Sequence, residues 1–313
     1  MTCKICNNSN NNKTYIVREM MLGLRDEFTY FQCANCECLQ IAKIPSNISL
    51  YYPSDYYSFS IPSKRGFTKS IRRIFANIRN NYLVFNKGIL GRLIAKFQPK
   101  ESFQMLSLLA LTKEKSILDI GCGSGSLLYS LKEIGFSKLL GADPFIAKDI
   151  QYSNGLKIAK KPIHELNGKW DVIMFHHSFE HMENPLEILQ SVSRLLNKDG
   201  ICLIRVPTVS SYAWKHYREN WVSLDAPRHF FLHSKKSINY LLSNLDMKVI
   251  DIVYDSNELQ FWGSEQYIRN IPLSATRSSP LFKHKELLTY RKKANKLNLE
   301  HQGDTCAFFL KKK

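Results

Sequence analysis

The stretch that decides the fold is ILDIGCGSGSL, residues 117–127. ILDI is typical of a short buried strand, and Gly121, Gly123 and Gly125 follow it before a helical pattern begins. Glycines tolerate positive φ and let the backbone approach a ligand where a Cβ would clash. A dinucleotide fingerprint needs a glycine where Ser126 stands, and a Walker loop needs a G-K-[ST] step that is absent. The loop therefore indicates another kind of ligand.

Strand and helix patterns alternate on the C-terminal side of this loop, in units whose length predicts an α/β fold with a doubly wound, parallel sheet. A helical insertion at about 258–300 separates the last two strand patterns. The further strand patterns are KLLGAD, GLKIAK, WDVIMF, GICLIRVP, MKVIDIVYDS and TCAFFLKK.

Two motifs resemble those of class I S-adenosylmethionine (SAM) methyltransferases of the small-molecule methyltransferase domain family. Asp119 completes a D-x-G-x-G-x-G pattern similar to motif I, and FHHSFEHMENP is similar to the LEH-x-x-x-P segment of that family. The resemblance covers roughly residues 95–255 and the terminal strand. It implies a Rossmann-like fold that binds SAM.

The same resemblance implies roles for residues at the strand ends, in addition to the three glycines. Asp119 is expected at the methionine end of SAM, with capping of the loop as the alternative. Asp143 is expected to accept the ribose hydroxyls. Ile163 or His164 would flank the adenine. His176 would line the methionine side, unless it is a packed structural residue.

The N-terminal cysteines predict a structural metal site. Cys3-x2-Cys6 and Cys33-x2-Cys36 are two C-x2-C pairs, which present four thiolates to one tetrahedral zinc ion. Four protein ligands leave no open position, so the ion would not be catalytic. A labile iron site is the alternative. Cys38 is interpreted as a spare thiol that could substitute for Cys36.

The net charge of +17 is concentrated in one segment. Ten basic residues and no acidic residue lie between positions 63 and 100, and apolar residues at helical spacing predict one basic linking helix from Phe67 to Phe97. We expect a zinc ribbon over 1–48, an aromatic segment and this helix over 49–100, and the methyltransferase domain over 101–313. The helix could dock on an anionic membrane, bind an anionic acceptor, or present a solvated face.

The acceptor side is predicted from WVSLDAPRHFFLHS, residues 221–234. His229 is the candidate base, with a structural histidine bonded to the backbone as the alternative. Tyr56 or Tyr57 could reach the same pocket, unless they pack under the ribbon. CANCECLQ, SDYYSFS and this loop are similar to segments of deoxysugar C-methyltransferases, which carry an N-terminal zinc module; Arg228 stands where those enzymes have Glu. The resemblance implies a sugar or other small acceptor, free or linked to a nucleotide or lipid, in surface-glycan or secondary-metabolite biosynthesis.

Two other function classes remain at this point. A zinc-ribbon RNA methyltransferase would explain the positive charge, although neither an N/D-P-P-Y tetrapeptide nor a Pro-Cys nucleophile is present, so nucleic acid is not the expected partner. A non-enzymatic SAM-fold interaction module is the second class. The first residues lack the apolar core of a signal peptide and no run approaches a membrane span, so we expect a cytoplasmic protein, with a peripheral position at the inner face of the membrane as the alternative.

Overall fold

A computed structural model describes residues 1–52, 67–98, 100–276 and 281–313. The N-terminal part begins with three strands: β1 (Lys13–Arg18), β2 (Glu27–Gln32) and β3 (Leu39–Ile41). They form an antiparallel sheet in which β2 lies between β1 and β3. One cysteine pair precedes β1 and the other lies in the turn between β2 and β3, as expected for a ribbon.

The basic segment folds as two helices, so the prediction of one helix from Phe67 to Phe97 was wrong. The helices are α1 (Phe67–Phe85) and α2 (Ile89–Phe97). Asn86 and Gly88 have φ of 55° and 102°, conformations that turn the chain out of the helix. Gly91 of α2 packs closely against α1. A Cβ at this position would lie only 2.5 Å from Cβ of Tyr82, so the close approach requires glycine. The apolar spacing continues across the turn, and this is why periodicity alone missed the break.

The remaining part carries the large sheet and the other helices. In chain order its elements are α3 (Glu101–Ser107), β4 (Ile117–Ile120), α4 (Ser126–Glu133), β5 (Leu139–Ala142), β6 (Ile150–Gln151), β7 (Lys157–Ala159), β8 (Trp170–His176), α5 (Pro185–Leu195), β9 (Leu196–Pro207), α6 (Tyr212–Tyr217), β10 (Phe231–Leu232), α7 (Lys235–Ser243), β11 (Met247–Tyr254), α8 (Leu259–Ile268), α9 (His284–Leu299) and β12 (Thr305–Lys312). Helices α8 and α9 lie in the predicted insertion.

The large sheet has the order β11-β12-β9-β8-β4-β5-β7-β6. Strands β7, β5, β4, β8 and β9 are parallel, whereas β12 pairs antiparallel with both β9 and β11. All four residues of β4 are buried, as a central strand covered on both faces requires. The carboxyl ends of β5, β4 and β8 meet at one edge of the sheet, where ligands bind in folds of this type. The predicted α/β doubly wound fold is confirmed.

Strand β10 joins the two parts of the protein. It pairs antiparallel with β3, so the N-terminal sheet has the order β1-β2-β3-β10 and its last strand comes from the chain that follows the large-sheet strand β9. The segment just before β10 carries His229, which places the acceptor-side loop against the N-terminal sheet. Within the described residues, no helix combines the length and apolarity needed to cross a bilayer.

Candidate active site and metal centre

The glycine loop connects the end of β4 to the start of α4. Gly121, Gly123 and Gly125 have φ of 69°, 55° and 77°. A Cβ on Gly121 would lie 2.4 Å from Cβ of Ser178, and one on Gly125 would lie 2.3 Å from Cδ1 of Ile158. Both the backbone conformation and the lack of space therefore require glycine at these two positions.

Two buried carboxyl groups flank the loop. Asp143, directly after β5, accepts hydrogen bonds from the backbone N–H groups of Gly123 and Phe145, each at 2.8 Å. Each carboxylate oxygen can accept a second hydrogen bond, so both can still receive ribose hydroxyls. Burial, together with the charge of Asp143, raises the pKa of Asp119 well above its usual range. A cationic ligand would relieve this electrostatic cost, and SAM carries an ammonium and a sulfonium group, so the site fits this cofactor.

The predicted adenine contacts lie on a 3-10 turn, Ile163–Glu165. Ile163 is buried, whereas the side chain of His164 is 69% exposed. The guanidinium of Arg194, on α5, donates to the carbonyl oxygens of His164 and Leu166. Ile163 is therefore the better placed of the two to pack against a base, and their contact with adenine stays a prediction.

His176 ends β8, and neither of its buried ring nitrogens has a hydrogen-bond partner among the described residues. Burial, with the neighbouring charges of Arg205 and His177, lowers the pKa of His176 to about 3, so the imidazole is neutral. A buried polar group without a partner is uncommon in folded proteins and is often completed by a ligand or water. The role at the methionine side of the cofactor stays a prediction.

A cluster of polar side chains lies next to the glycine loop. Ser178 donates a hydrogen bond to the carbonyl oxygen of Ile120, at 2.7 Å, and the 3-10 turn Phe179–His181 follows immediately. This turn carries Glu180 and His181, and the ring of His181 lies 4.8 Å from that of His229. The cofactor loop and the predicted base are thus brought together through one short segment.

Glu180 is the charged centre of this cluster and is fully buried. Its Oε1 lies 3.5 Å from Nδ1 of His177 and 3.9 Å from Nε2 of His229. Burial alone would raise the pKa of Glu180, but His177, His181 and His229 lower it to about 2. The carboxylate is therefore negative, and its charge is directed at the imidazoles.

The loop that carries His229 is held in place by Arg228, which is fully buried. Its guanidinium lies 2.5 Å from Oδ1 of Asp225 and 2.9 Å from Oε1 of Glu19, and it also donates to the carbonyl oxygen of Tyr51. The carboxylate of Glu19 accepts three backbone N–H groups as well. Sequence reasoning noted Arg228 only as a departure from Glu and missed Glu19, because 209 positions separate the pair.

The four predicted zinc ligands are buried together. Cys3 lies 3.5 Å from Cys36 and Cys6 lies 3.5 Å from Cys33, measured between sulfur atoms, and all four sulfurs lie within 4.8 Å of one another. A disulfide would require about 2.05 Å. The sulfur of Cys38 instead faces the carbonyl oxygen of Leu232, so Cys36 completes the set.

Hydrogen bonds stabilise a thiolate at Cys3. The side-chain amide of Gln40 and the backbone N–H of Ile5 both point at the sulfur of Cys3, at 3.1 and 3.4 Å. A hydrogen bond with Cys36 is the largest influence lowering the pKa of Cys3, to about 4, and the same bond raises the pKa of Cys36. Four sulfur atoms this close together are the arrangement that a bound ion would hold as thiolates. The donor set therefore fits a tetrahedral thiolate-bound ion.

The predicted role of Tyr56 or Tyr57 stays a prediction, because both lie outside the described residues. Tyr52, just before that gap, places its hydroxyl 3.2 Å from Nδ1 of His181. An aromatic hydroxyl from the predicted tyrosine-rich segment thus does reach the cluster, although sequence patterns gave no reason to choose Tyr52.

Comparison with known proteins agrees with this geometry. Residues 94–252 match the family described as "Methyltransferase domain". The tRNA U34 carboxymethyltransferase of Campylobacter lari is 34% identical over 102 residues, which cover 29% of this chain and 35% of that protein. The ubiquinone biosynthesis O-methyltransferase of Glaesserella parasuis is 33% identical over 105 residues, covering 29% and 44%. The chain thus spans about a third to a half of the length of these relatives.

Solved structures also match. A SAM-dependent methyltransferase from Archaeoglobus fulgidus aligns with a TM-score of 0.43 and 18% identity, over 72% of this chain and all of that one. The family match covers half of the chain, and it coincides with the glycine loop, the two carboxyl groups and the order of the large sheet. The chain belongs to the methyltransferase domain family.

Proposed function

We propose that this enzyme methylates a sugar or another small acceptor, and that the acceptor loses its proton to the cluster around His229. The observation that carries the proposal is the state of this imidazole. Nδ1 of His229 lies 2.8 Å from the carbonyl oxygen of Ser223, so Nδ1 is the donor, and Nε2 carries the lone pair of the neutral imidazole. Nε2 faces Glu180 at 3.9 Å and Asp225 at 3.8 Å.

This arrangement suits a general base. Bound SAM supplies a methyl group on a positively charged sulfur, so the remaining requirement is to orient the acceptor and remove its proton. Nε2 of His229 takes the proton of the attacking hydroxyl or amine as the carbon–sulfur bond breaks. Glu180 and Asp225 stabilise the resulting imidazolium, and S-adenosylhomocysteine leaves as a neutral thioether.

The enclosure of the cluster supports a small acceptor. The Tyr30 hydroxyl of the N-terminal sheet donates to the carbonyl oxygen of His229, at 2.8 Å, and β10 continues that sheet. The loop that carries His229 is therefore tied to the N-terminal sheet, and His229 itself is buried. The Campylobacter lari carboxymethyltransferase aligns with this chain over only 102 residues, 35% of its own length, so its tRNA substrate is not carried over.

We expect labelled methyl from SAM to appear on nucleotide-linked or lipid-linked sugars, and not on bulk tRNA. His229→Asn should lower kcat by about 100-fold, because general-base catalysis contributes at least that much. The SAM dissociation constant should not change. The exposed His284 provides the matched control, since His284→Asn should keep full turnover. Label on tRNA alone, or full turnover by His229→Asn, would contradict the proposal.

We further infer that zinc occupies the four-cysteine cluster in a structural role. The cluster supports the acceptor loop directly: the hydroxyl of Ser234, two residues after β10, donates to the carbonyl oxygen of Cys36. An ion that holds Cys36 thus also holds the C-terminal side of the His229 loop. Domain boundaries of 1–48, 49–100 and 101–313 remain our proposal, with β10 crossing between the first and the third.

A membrane surface is the partner we propose for α1 and α2. Their outer side exposes large apolar residues where a solvated helix would carry polar ones, and basic residues stand among them. The apolar residues are Ile71, Ile74, Phe75, Ile89, Leu90, Leu93 and Phe97, and the exposed basic ones are Arg72, Arg73, Lys87, Arg92 and Lys96. Because the segment has no acidic residue, its charge complements anionic lipid headgroups. The enzyme would then work at the inner face of the membrane, close to lipid-linked glycans.

Co-sedimentation with vesicles tests this surface. The full chain should bind vesicles that contain about a third phosphatidylglycerol, and binding should fall as salt rises. Replacing Ile89, Leu93 and Phe97 together with serine should weaken binding by at least about 10-fold, because each exposed side chain would lose burial in the interface. A matched triple replacement of exposed residues on α9, Lys285, Leu288 and Lys292, should leave binding unchanged. Equal binding to neutral vesicles, or retention on RNA only, would overturn this assignment.

A further inference from the structure

Three hydrogen-bond acceptors converge in the acceptor-side cluster. Nδ1 of His181 lies 2.7 Å from the carbonyl oxygen of Arg228, so it carries the proton and leaves the Nε2 lone pair free. His229 has the same state, with its Nδ1 on the carbonyl oxygen of Ser223. Backbone carbonyl oxygens thus fix the orientation of both rings through Nδ1. In the neutral imidazole, Nε2 of each ring is the atom that can act as a ligand.

Glu180 adds the third acceptor. Both of its carboxylate oxygens are buried, and the contact to Oε1 from Nδ1 of His177, at 3.5 Å, is too long for a strong hydrogen bond. One atom each from Glu180, His181 and His229 can be chosen so that all three lie within 4.8 Å of one another. Lone pairs that converge in a buried space repel one another unless a cation lies between them.

We propose that Glu180, His181 and His229 hold a second metal ion, a divalent cation such as Mn²⁺, Fe²⁺ or Zn²⁺, which binds an oxygen of the acceptor. The inference rests on the proposed methyl transfer and specifies how the acceptor is held. Two imidazoles and one carboxylate favour such cations, whereas the four thiolates of the N-terminal cluster favour zinc. Three protein ligands leave coordination positions open for a substrate, unlike four cysteines.

The surroundings provide the supporting contacts that metal ligands usually have. Each histidine donates its other ring N–H to a backbone carbonyl, which fixes the orientation of the ligand nitrogen. His177 lies 3.5 Å from Oε1 of Glu180 and is itself in contact with Arg205, so it acts as a positioning residue for the carboxylate. A sugar carrying neighbouring hydroxyl groups could fill two open positions.

Metal binding also refines the role of His229. While an ion is bound, Nε2 of His229 is a ligand, and the proton of the acceptor hydroxyl passes instead to the neighbouring carboxylate of Asp225. The ion lowers the pKa of the acceptor hydroxyl that it binds, so a hydroxyl, and not a carbon, becomes the favoured site of methylation. Asp225, 3.8 Å from Nε2 of His229, remains beside the site as a carboxylate.

The experiment is a Mn²⁺ titration of the purified full chain, followed by the electron paramagnetic resonance signal of free Mn²⁺. Mn²⁺ prefers oxygen and nitrogen ligands, so it should not displace zinc from the cysteines. The wild type should bind one Mn²⁺ per chain. Glu180→Gln and His181→Asn should each weaken binding by about 100-fold or more, since even outer contacts contribute 10- to 100-fold. His284→Asn, on an exposed residue of α9, should bind like the wild type.

Zinc content and SAM affinity report on the rest of the molecule in the same samples. One zinc per chain should remain in Glu180→Gln and in His181→Asn. The double variant Cys33→Ser/Cys36→Ser should lose this zinc. If the double variant folds, it should still bind Mn²⁺. Absence of a Mn²⁺ site in the wild type, or unchanged Mn²⁺ affinity in both site variants, overturns the second metal site. If the second metal site fails this test, the proposed function still stands provided that calorimetry shows SAM binding and methyl transfer proceeds without added metal. If SAM binding and methyl transfer are both absent, the proposed function itself is refuted.

Discussion

Asp143→Ala should weaken SAM binding by at least about 100-fold. A carboxylate that receives two ribose hydroxyls makes two charge-assisted hydrogen bonds, each worth about 1.5–3 kcal/mol. Together these exceed the roughly 2.8 kcal/mol that corresponds to 100-fold in affinity. The change also removes the acceptor for the N–H of Gly123, so the glycine loop loses a support at the same time. Isothermal calorimetry with SAM and S-adenosylhomocysteine measures the effect.

Two further variants separate charge from general damage. Asp143→Asn keeps an acceptor oxygen but loses the negative charge, so its affinity should lie between those of the wild type and Asp143→Ala. Asp199→Ala removes a carboxylate that is 88% exposed on β9, and SAM affinity should not change. An unchanged affinity of Asp143→Ala would remove this residue from the cofactor site.

Arg228→Ala should lower the free energy of unfolding by about 3–5 kcal/mol, the usual cost of breaking a buried ion pair by removing one partner. Glu19 and Asp225 would be left with uncompensated charge, and Glu19 is fully buried. The N-terminal part would also lose a direct link to the His229 loop. Urea denaturation followed by tryptophan fluorescence measures the change, since Trp214 and Trp221 are buried.

A surface arginine serves as the control for this prediction. Arg73 is 59% exposed and lies 3.5 Å from Glu133, and such surface pairs contribute about 1 kcal/mol or less. Arg73→Ala should therefore have a small effect. Arg228→Lys should recover part of the loss, because it restores the charge without the bidentate contact to Asp225. A loss below about 1 kcal/mol in Arg228→Ala would show that the buried network does not stabilise the fold.

Several features of the site could be predicted because they depend on neighbouring residues. The three glycines, Asp119 and the strand before them lie within nine positions, so their order alone specifies a tight turn at a strand end. The two C-x2-C pairs likewise predict one four-cysteine cluster, and the four sulfurs do lie together. The helix break shows the limit of this approach. Asn86-Lys87-Gly88 is a turn signal, but the apolar period runs across it unbroken.

The acceptor side depends on contacts between distant parts of the chain. Glu180 and His181 come from the turn after β8, and His229 comes from the loop before β10. Each residue by itself has an ordinary structural explanation, such as capping or packing, so no local pattern indicates that their lone pairs converge.

The sequence by itself thus determined the α/β fold, the glycine loop and the cysteine set, because each depends on short-range spacing that backbone and metal chemistry constrain. The resemblance of two motifs to those of methyltransferases indicated the cofactor. Only the tertiary structure decided what surrounds His229. The sheet order brings the ends of β4 and β8 together, and β10 pairs with a strand nearly 200 positions earlier in the chain. Buried charges such as those of Glu19 and Arg228 then form an ion pair, because in a low-dielectric interior neither charge is stable without its partner.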